Sequence, residues 1–297
     1  MAEVVSDPLA VAAVDYRDPL APARFTDSLR RTGFGVLVNH PIPQELLESI
    51  YAEWLAFFGT EAKHSYSFDD NHYDGYFAKE AAETAKGHRQ RDLKEYFHIY
   101  PWGRYPGEVS DKARRYFEIA SKLAQELLGW IEANTPPEVK TRFSIPLAEM
   151  ISGSSLTLLR ILRYPPLTGD EPPNALRSAP HEDINLLTVL PASNEPGLQL
   201  LSSAGSWNDV PCDFGALAVN VGDMLQEASG GYYRSTSHRV INPTGEAAHR
   251  SRISMPLFLH PRPDVVLSDR YTAETYRDER LRILRADRSK GKSGSGY

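Results

Sequence analysis

From about residue 153 onward, short apolar runs rich in Val, Ile and Leu follow one another, each closed by Pro, Gly, Asn or Ser. They are LTLLRILRYPP, NLLTVLP, GLQLL, ALAVNVGDML, HRVINP and ISMPLFLHP. Short β-rich runs separated in this way do not read as βαβ units. This is the pattern of a β-sandwich or jelly roll.

The first half has another texture. Residues 23–32 (ARFTDSLRRT) predict a helix ending at Gly33, and FGVLVNH predicts a short strand after it. Beyond Pro41 and Pro43, QELLESIYAEWLAFF sets Leu46, Leu47, Ile50, Tyr51 and Trp54 on one helical face, closing near Gly59. Residues 61–92 have no clean period and predict short helices and loops. The longest helical signal, residues 110–134, spaces Tyr116, Ile119, Leu123, Leu127 and Ile131 by three or four. TAETYRDERLRILRADR returns to helix, a packing helix with a basic outer face, and the Gly/Ser-rich residues 290–297 predict a frayed tail. The expected fold class is mainly β with α. A jelly-roll (double-stranded β-helix) core, residues 153–265, carries a helical and mixed N-terminal region, residues 1–152, wrapped on it, with residues 266–297 as C-terminal helix and tail. No linker divides these parts, so residues 1–297 are expected to form a single integrated domain.

Charge and cysteine usage exclude some classes. Lys+Arg 33 against Asp+Glu 39 gives −6 and a pI near 5.9, which argues against nucleic acid as the main partner. No apolar run approaches the ~18–20 residues of a membrane span. The start carries Glu3 and Asp7 and no basic n-region, so no secretory signal is expected. A lone cysteine, Cys212, admits no internal disulfide and is read as structural. The expected compartment is the cytoplasm.

Of nine histidines, only His181 sits in an arrangement with metal logic, HEDINLLTVL. Residues two apart in a strand point to one face, so His181 and Asp183 can reach one ion. His238, in RSTSHRVINP, is the third candidate. Two His and one carboxylate on one side of an ion leave three positions open, which suits a non-haem Fe(II) oxygenase. On spacing alone a chance His-x-Asp, or a hydrolytic zinc site, fits as well. Arg252 follows His238 by fourteen residues (252 − 238) and shares a strand face with Ser254. A guanidinium fork and a hydroxyl at that spacing can clamp a carboxylate. Arg160, Leu162 and Tyr164 share a face on an earlier strand. Tyr164 can add a hydroxyl to the same carboxylate, and Arg160 can meet a second anionic group of cosubstrate or substrate. For substrate contact the candidates are Asn185 beside the metal pair, Phe258 on the Arg252/Ser254 face, and Glu95 and Phe97 in DLKEYFHIY, whose alternate face is Tyr96, His98 and Tyr100. Two inward arginines suit a small anionic or amino-acid-like substrate, with Glu95 matched to an ammonium or guanidinium group. No phosphate-binding glycine pattern is present.

The linked motifs LRILRYPP, HEDINLLTVLP, PGLQLL, WNDVP, NVGDMLQ, GYYRSTSHRVINP and RISMPLF resemble the catalytic core of the isopenicillin N synthase-like Fe(II) and 2-oxoglutarate-dependent oxygenases. GFGVLVNHPIP and DLKEYFHIYPWGRYP resemble that family's N-terminal region, so the likeness covers roughly residues 10 to 265. The resemblance implies a jelly roll in which His181, Asp183 and His238 hold Fe(II), while Arg252, Ser254 and Tyr164 bind 2-oxoglutarate. It implies a dioxygenase that uses O2 to hydroxylate, desaturate or cyclise a small molecule with release of succinate and CO2. One departure stands out: the place where plant members often carry Asn is Leu162. The RYP and HED stretches are similar to isopenicillin N synthase itself, where the Arg/Ser pair grips the substrate. A 2-oxoglutarate-independent oxidase is therefore the alternative within enzymes, and a non-catalytic jelly-roll binding protein the alternative outside them.

Overall fold

The computed structural model describes residues 11–69, 73–79, 91–211 and 213–292. Its first third is β1 (Ala13–Asp15), α1 (Ala21–Thr32), β2 (Phe34–Val38), α2 (Gln44–Phe58), β3 (Gly75–Phe77), β4 (Glu95–Ile99) and α3 (Lys112–Ala133). The turn from α1 into β2 needs a glycine. Gly33 has φ +75° and donates its N–H to the Leu29 carbonyl, and a Cβ there would lie 2.2 Å from Thr236 Oγ1. Two short helices follow, α4 (Pro137–Lys140) and α5 (Leu147–Ile151). Then come β5 (Leu158–Tyr164), β6 (Ser178–His181), β7 (Leu187–Pro191), β8 (Leu198–Leu201), β9 (Trp207–Asp209) and β10 (Leu217–Val221). The chain ends through α6 (Asp223–Ala228), β11 (His238–Val240), β12 (Arg252–Ser254), β13 (Leu257–Leu259) and α7 (Ala273–Lys292).

Two sheets result. The larger runs β1-β2-β10-β7-β13-β5-β4-β3, with β12 also paired to β5; the smaller runs β6-β11-β8-β9. Phe34, Tyr96, Leu162, Tyr164 and Ala218 of the large sheet pack with Leu198, Leu200 and Val240 of the small one in a single apolar cluster. Burial of that cluster drives the two sheets together face to face. The other face of the large sheet meets helices. There Leu159, Ile161 and Phe97 join Trp54, Phe58 and Leu127, and Trp54 packs edge-on to Phe97 at 5.2 Å. All five residues expected on the inner face of α2 are buried.

The N-terminal third therefore supplies strands as well as helices, four of them to the large sheet. One of these, β3, falls in the stretch expected to hold only short helices and loops. It forms because β4 offers it a backbone ladder, a tertiary pairing that local periodicity does not report. At the C-terminus α7 runs to Lys292, into the segment expected to fray; residues 293–297 and Cys212 lie outside the described residues. Among the described residues no helix is long and apolar enough to cross a membrane.

Candidate metal centre

The small sheet sets His238 of β11 directly opposite His181 of β6, with ring centroids 4.4 Å apart. Asp183 is not on the same strand face as His181. β6 ends at His181, and the chain beyond it turns back into the space between the sheets, fastened where the Asp183 carbonyl accepts the Asp223 N–H at 2.7 Å. Asp183 Oδ1 then lies 3.9 Å from His181 Nε2 and 3.8 Å from His238 Nε2. One ligand atom from each residue falls within 4.8 Å of the others, a set that can hold a metal ion.

Each of these atoms is aimed by a partner behind it. His181 Nδ1 is 2.8 Å from the Ala179 carbonyl and His238 Nδ1 3.1 Å from the Thr236 carbonyl. A carbonyl can only accept, so both rings carry the proton on Nδ1 and present the Nε2 lone pair. Desolvation and the neighbouring His238 push His181 down to about 4, so its ring is neutral at physiological pH, the form that binds metal. On the carboxylate, Oδ2 accepts from Thr188 Oγ1 at 2.6 Å and from Asn220 Nδ2 at 2.8 Å, leaving Oδ1 for the centre. Burial alone would raise Asp183, but the imidazoles of His238 and His181 and these two donors hold it below the usual carboxylate range.

The register of the large sheet explains why those donors are in reach. Phe34, Asn220, Thr188 and Phe258 are successive partners across β2, β10, β7 and β13. They form one inward row beneath the triad, and the Phe34 ring stands edge-on to His238 at 5.5 Å. Asn185, expected beside the metal pair, lies one step behind it. It is fully buried, and its Nδ2 donates to the Leu187 carbonyl and to Thr188 Oγ1, steadying the hydroxyl that serves Asp183.

The inward face of β5 carries Arg160, Leu162 and Tyr164. Arg252 sits opposite Tyr164 and Ser254 opposite Leu162, so all four share the interior. Arg252 is 3% exposed, its guanidinium is 5.2 Å from the Tyr164 ring centroid, and its Nε–H donates to the Glu195 carbonyl at 3.0 Å. Arg160 is placed apart from them, about 13 Å along β5 from Tyr164 at ~3.3 Å per residue. It donates from Nε to His98 Nε2 at 2.8 Å and lies over the rings of Tyr96 (4.6 Å) and Phe258 (5.4 Å).

Glu95 and Phe97 are on the wrong face for substrate contact. Strand alternation turns them outward to the helical layer, and Lys94, Tyr96 and His98 inward. Glu95 already accepts from Lys63 Nζ and Arg163 Nη1, both at 2.9 Å, and from Tyr76 OH at 2.6 Å, so its charge is spent within the protein. Phe97 is fully buried against Trp54 and Phe57. Sequence reasoning also passed over the Lys94–Asp92 ion pair, buried at 2.7 Å, which ties β4 to β6 through the Asp92 hydrogen bond to the Ala179 N–H.

The 2OG-Fe(II) oxygenase superfamily model matches residues 155–261, and the N-terminal model of non-haem dioxygenases in morphine synthesis matches residues 15–119. The crystal structure of a Shewanella oneidensis protein assigned as an oxygenase is 57% identical, with a TM-score of 0.85 over 93% of this chain and 98% of that one. The chain belongs to the isopenicillin N synthase-like Fe(II)/2-oxoglutarate oxygenases. This oxygenase is also similar to JOX2 in complex with 2OG, Fe and JA, at 25% identity and a TM-score of 0.75 over 93% of this chain and 85% of that one. A bifunctional coumaroyl CoA and feruloyl CoA ortho-hydroxylase of Ipomoea batatas is 28% identical over 89% of this chain and 74% of its own. The enzyme is thus a 2-oxoglutarate-dependent dioxygenase with a jelly-roll fold, and its cofactors are Fe(II) and 2-oxoglutarate.

Proposed function

We propose that His181 Nε2, His238 Nε2 and Asp183 Oδ1 hold the iron, and that Arg252, Ser254 and Tyr164 bind the far carboxylate of 2-oxoglutarate. The observation that carries the first assignment is the directed donor set: two imidazoles and one carboxylate oxygen, each steered by a hydrogen bond at its far atom. Two nitrogens and one oxygen on one side suit non-haem Fe(II) and leave positions for cosubstrate and O2. The second assignment is supported by a guanidinium, a hydroxyl and a phenol brought to one patch of the interior by the β5–β12 register.

When bound, iron with 2-oxoglutarate and O2 supplies the oxidising chemistry, in the balance R–H + 2-oxoglutarate + O2 → R–OH + succinate + CO2. The chain's own residues aim the ligands, anchor the cosubstrate and exclude water with the aromatic and aliphatic interior around Phe34, Tyr96 and Leu200. Substrate would enter on the side of Tyr96, His98 and Arg160. The Arg160–His98 pair between two aromatic rings favours a small anionic or amino-acid-like molecule, which is hydroxylated, desaturated or cyclised. The described residues act as one unit, since strands from both halves share the large sheet.

Oxygen uptake measured with and without 2-oxoglutarate, across a panel of amino acids and small organic acids, tests this reading. The expected result is uptake that requires 2-oxoglutarate, with succinate formed in equal amount. Uptake driven by a substrate without 2-oxoglutarate would instead establish the oxidase alternative.

A further inference from the structure

Four residues ahead of His181, on the approach to β6, Arg177 is fully buried. Its position is fixed at both ends. Its backbone N–H donates to Asn242 Oδ1 at 2.9 Å, and its Nη2 donates to the Arg250 carbonyl at 3.0 Å. That acceptor lies two residues before Arg252. Arg177 Nε and Nη1 are buried with no hydrogen-bond partner among the described residues.

An orphaned, buried guanidinium is costly unless an anion completes it. The nearby acid does not serve that purpose. Glu195 spends both carboxylate oxygens on Arg250, at 2.6 and 3.2 Å, and its backbone carbonyl accepts from Arg252 Nε. Arg177, Arg250 and Arg252 thus gather about Glu195, and two of the three cations are buried. Desolvation and the neighbouring charge of Arg252 pull Arg177 below the usual arginine range. Tyr164 also neighbours Arg177, and it is the partner of Arg252 across the β5–β12 ladder.

We infer that Arg177 is a second guanidinium of the seat for the cosubstrate's distal carboxylate, and that it sharpens the preference for a 2-oxo acid carrying that carboxylate. The inference rests on the assignment of Arg252 and Tyr164 to 2-oxoglutarate. Arg177 supplies two donor-bearing nitrogens, and a carboxylate has lone pairs enough to accept from both arginines. Its role is to bind and orient, with no part in moving protons.

The test is calorimetric titration of the anaerobic Fe(II)-loaded protein with 2-oxoglutarate and with 2-oxobutanoate, which lacks the distal carboxylate. Arg177→Met is expected to weaken 2-oxoglutarate by about tenfold or more, the scale of a lost charge-assisted hydrogen bond. It should leave 2-oxobutanoate within about twofold of the native protein on the same reasoning. Arg177→Lys should fall between, because lysine keeps the charge and loses the planar fork. Should Arg177→Met fail to fold, Arg177→Lys carries the comparison, its fold checked by thermal melting. Unchanged 2-oxoglutarate affinity in a folded variant, or equal weakening of both acids, would overturn the inference and leave Arg177 a brace for the Arg250 segment. Arg252→Met run in parallel separates the two levels. If it too leaves 2-oxoglutarate binding intact, the cosubstrate assignment itself has failed.

Discussion

Asp183→Ala is expected to abolish stoichiometric Fe(II) binding and, with it, all 2-oxoglutarate turnover. The substitution removes the one anionic group of the set and leaves two imidazoles, too few donors to hold a divalent ion tightly. It also strands Thr188 Oγ1 and Asn220 Nδ2, which now donate to Asp183 Oδ2 in a buried layer. A graded companion is Thr188→Val, which keeps the shape and removes one of those donors. Loss of a hydrogen bond behind a ligand costs roughly 10–100-fold in metal affinity. Iron content after anaerobic desalting, with calorimetric affinities for the weaker variant, measures both. Full iron occupancy in Asp183→Ala would remove Asp183 from the centre, and unchanged affinity in Thr188→Val would make the register row beneath the triad irrelevant to the metal.

Arg252→Met should weaken 2-oxoglutarate by about 2 kcal/mol or more, roughly thirtyfold, with a much smaller loss of kcat at saturating cosubstrate. The side chain is almost wholly enclosed, lies 5.2 Å from the Tyr164 ring centroid and is fixed by the Glu195 carbonyl, so its fork is already oriented before anything binds. An arginine held this way gives a directed charge-assisted hydrogen bond at little entropic cost. The separation of KM from kcat matters here. A fall in kcat with KM unchanged would move Arg252 from cosubstrate anchoring to a structural role, and a rise in substrate KM alone would give it to the substrate, as in the oxidase alternative.

How much of this was legible in the sequence depends on which faces of each strand are buried. The run FGVLVNH and the amphipathic QELLESIYAEWLAFF announce β2 and α2 because turn residues bound them and their apolar spacing is regular. HEDINLLTVL and RSTSHRVINP announce the two histidines of the candidate centre, which β6 and β11 bring into register. The same reasoning misjudged Glu95 and Phe97. All five residues of β4 are buried, so both faces of the strand are covered and alternation carries no sign of which one points inward. The identity of the acid misled further, since Glu95 answers two cations of the protein rather than one of the substrate.

Thr188, Asn220 and Arg177 were passed over for a related reason. Thr188 and Asn220 are single polar residues within apolar runs, in LLTVLP and ALAVNV, and Arg177 stands beside Ser178 in ALRSAPHED. A polar side chain buried in a strand must find a partner, so such a residue signals a hydrogen-bonded neighbour without saying which. The partner is supplied by the sheet order, and for Thr188 and Asn220 it is Asp183. Asp183 itself reaches the centre by a route the strand rule does not describe, through a turn beyond the end of β6 fastened to the start of α6.

The most direct measurement is the anaerobic addition of 2-oxoglutarate to the Fe(II)-loaded protein, followed in the visible range for the weak charge-transfer band of an iron–2-oxo acid chelate. The account predicts a band that saturates at one equivalent and is lost in His181→Ala. Iron bound in full with no band at any 2-oxoglutarate concentration would contradict it, and would send Arg252 to the substrate instead.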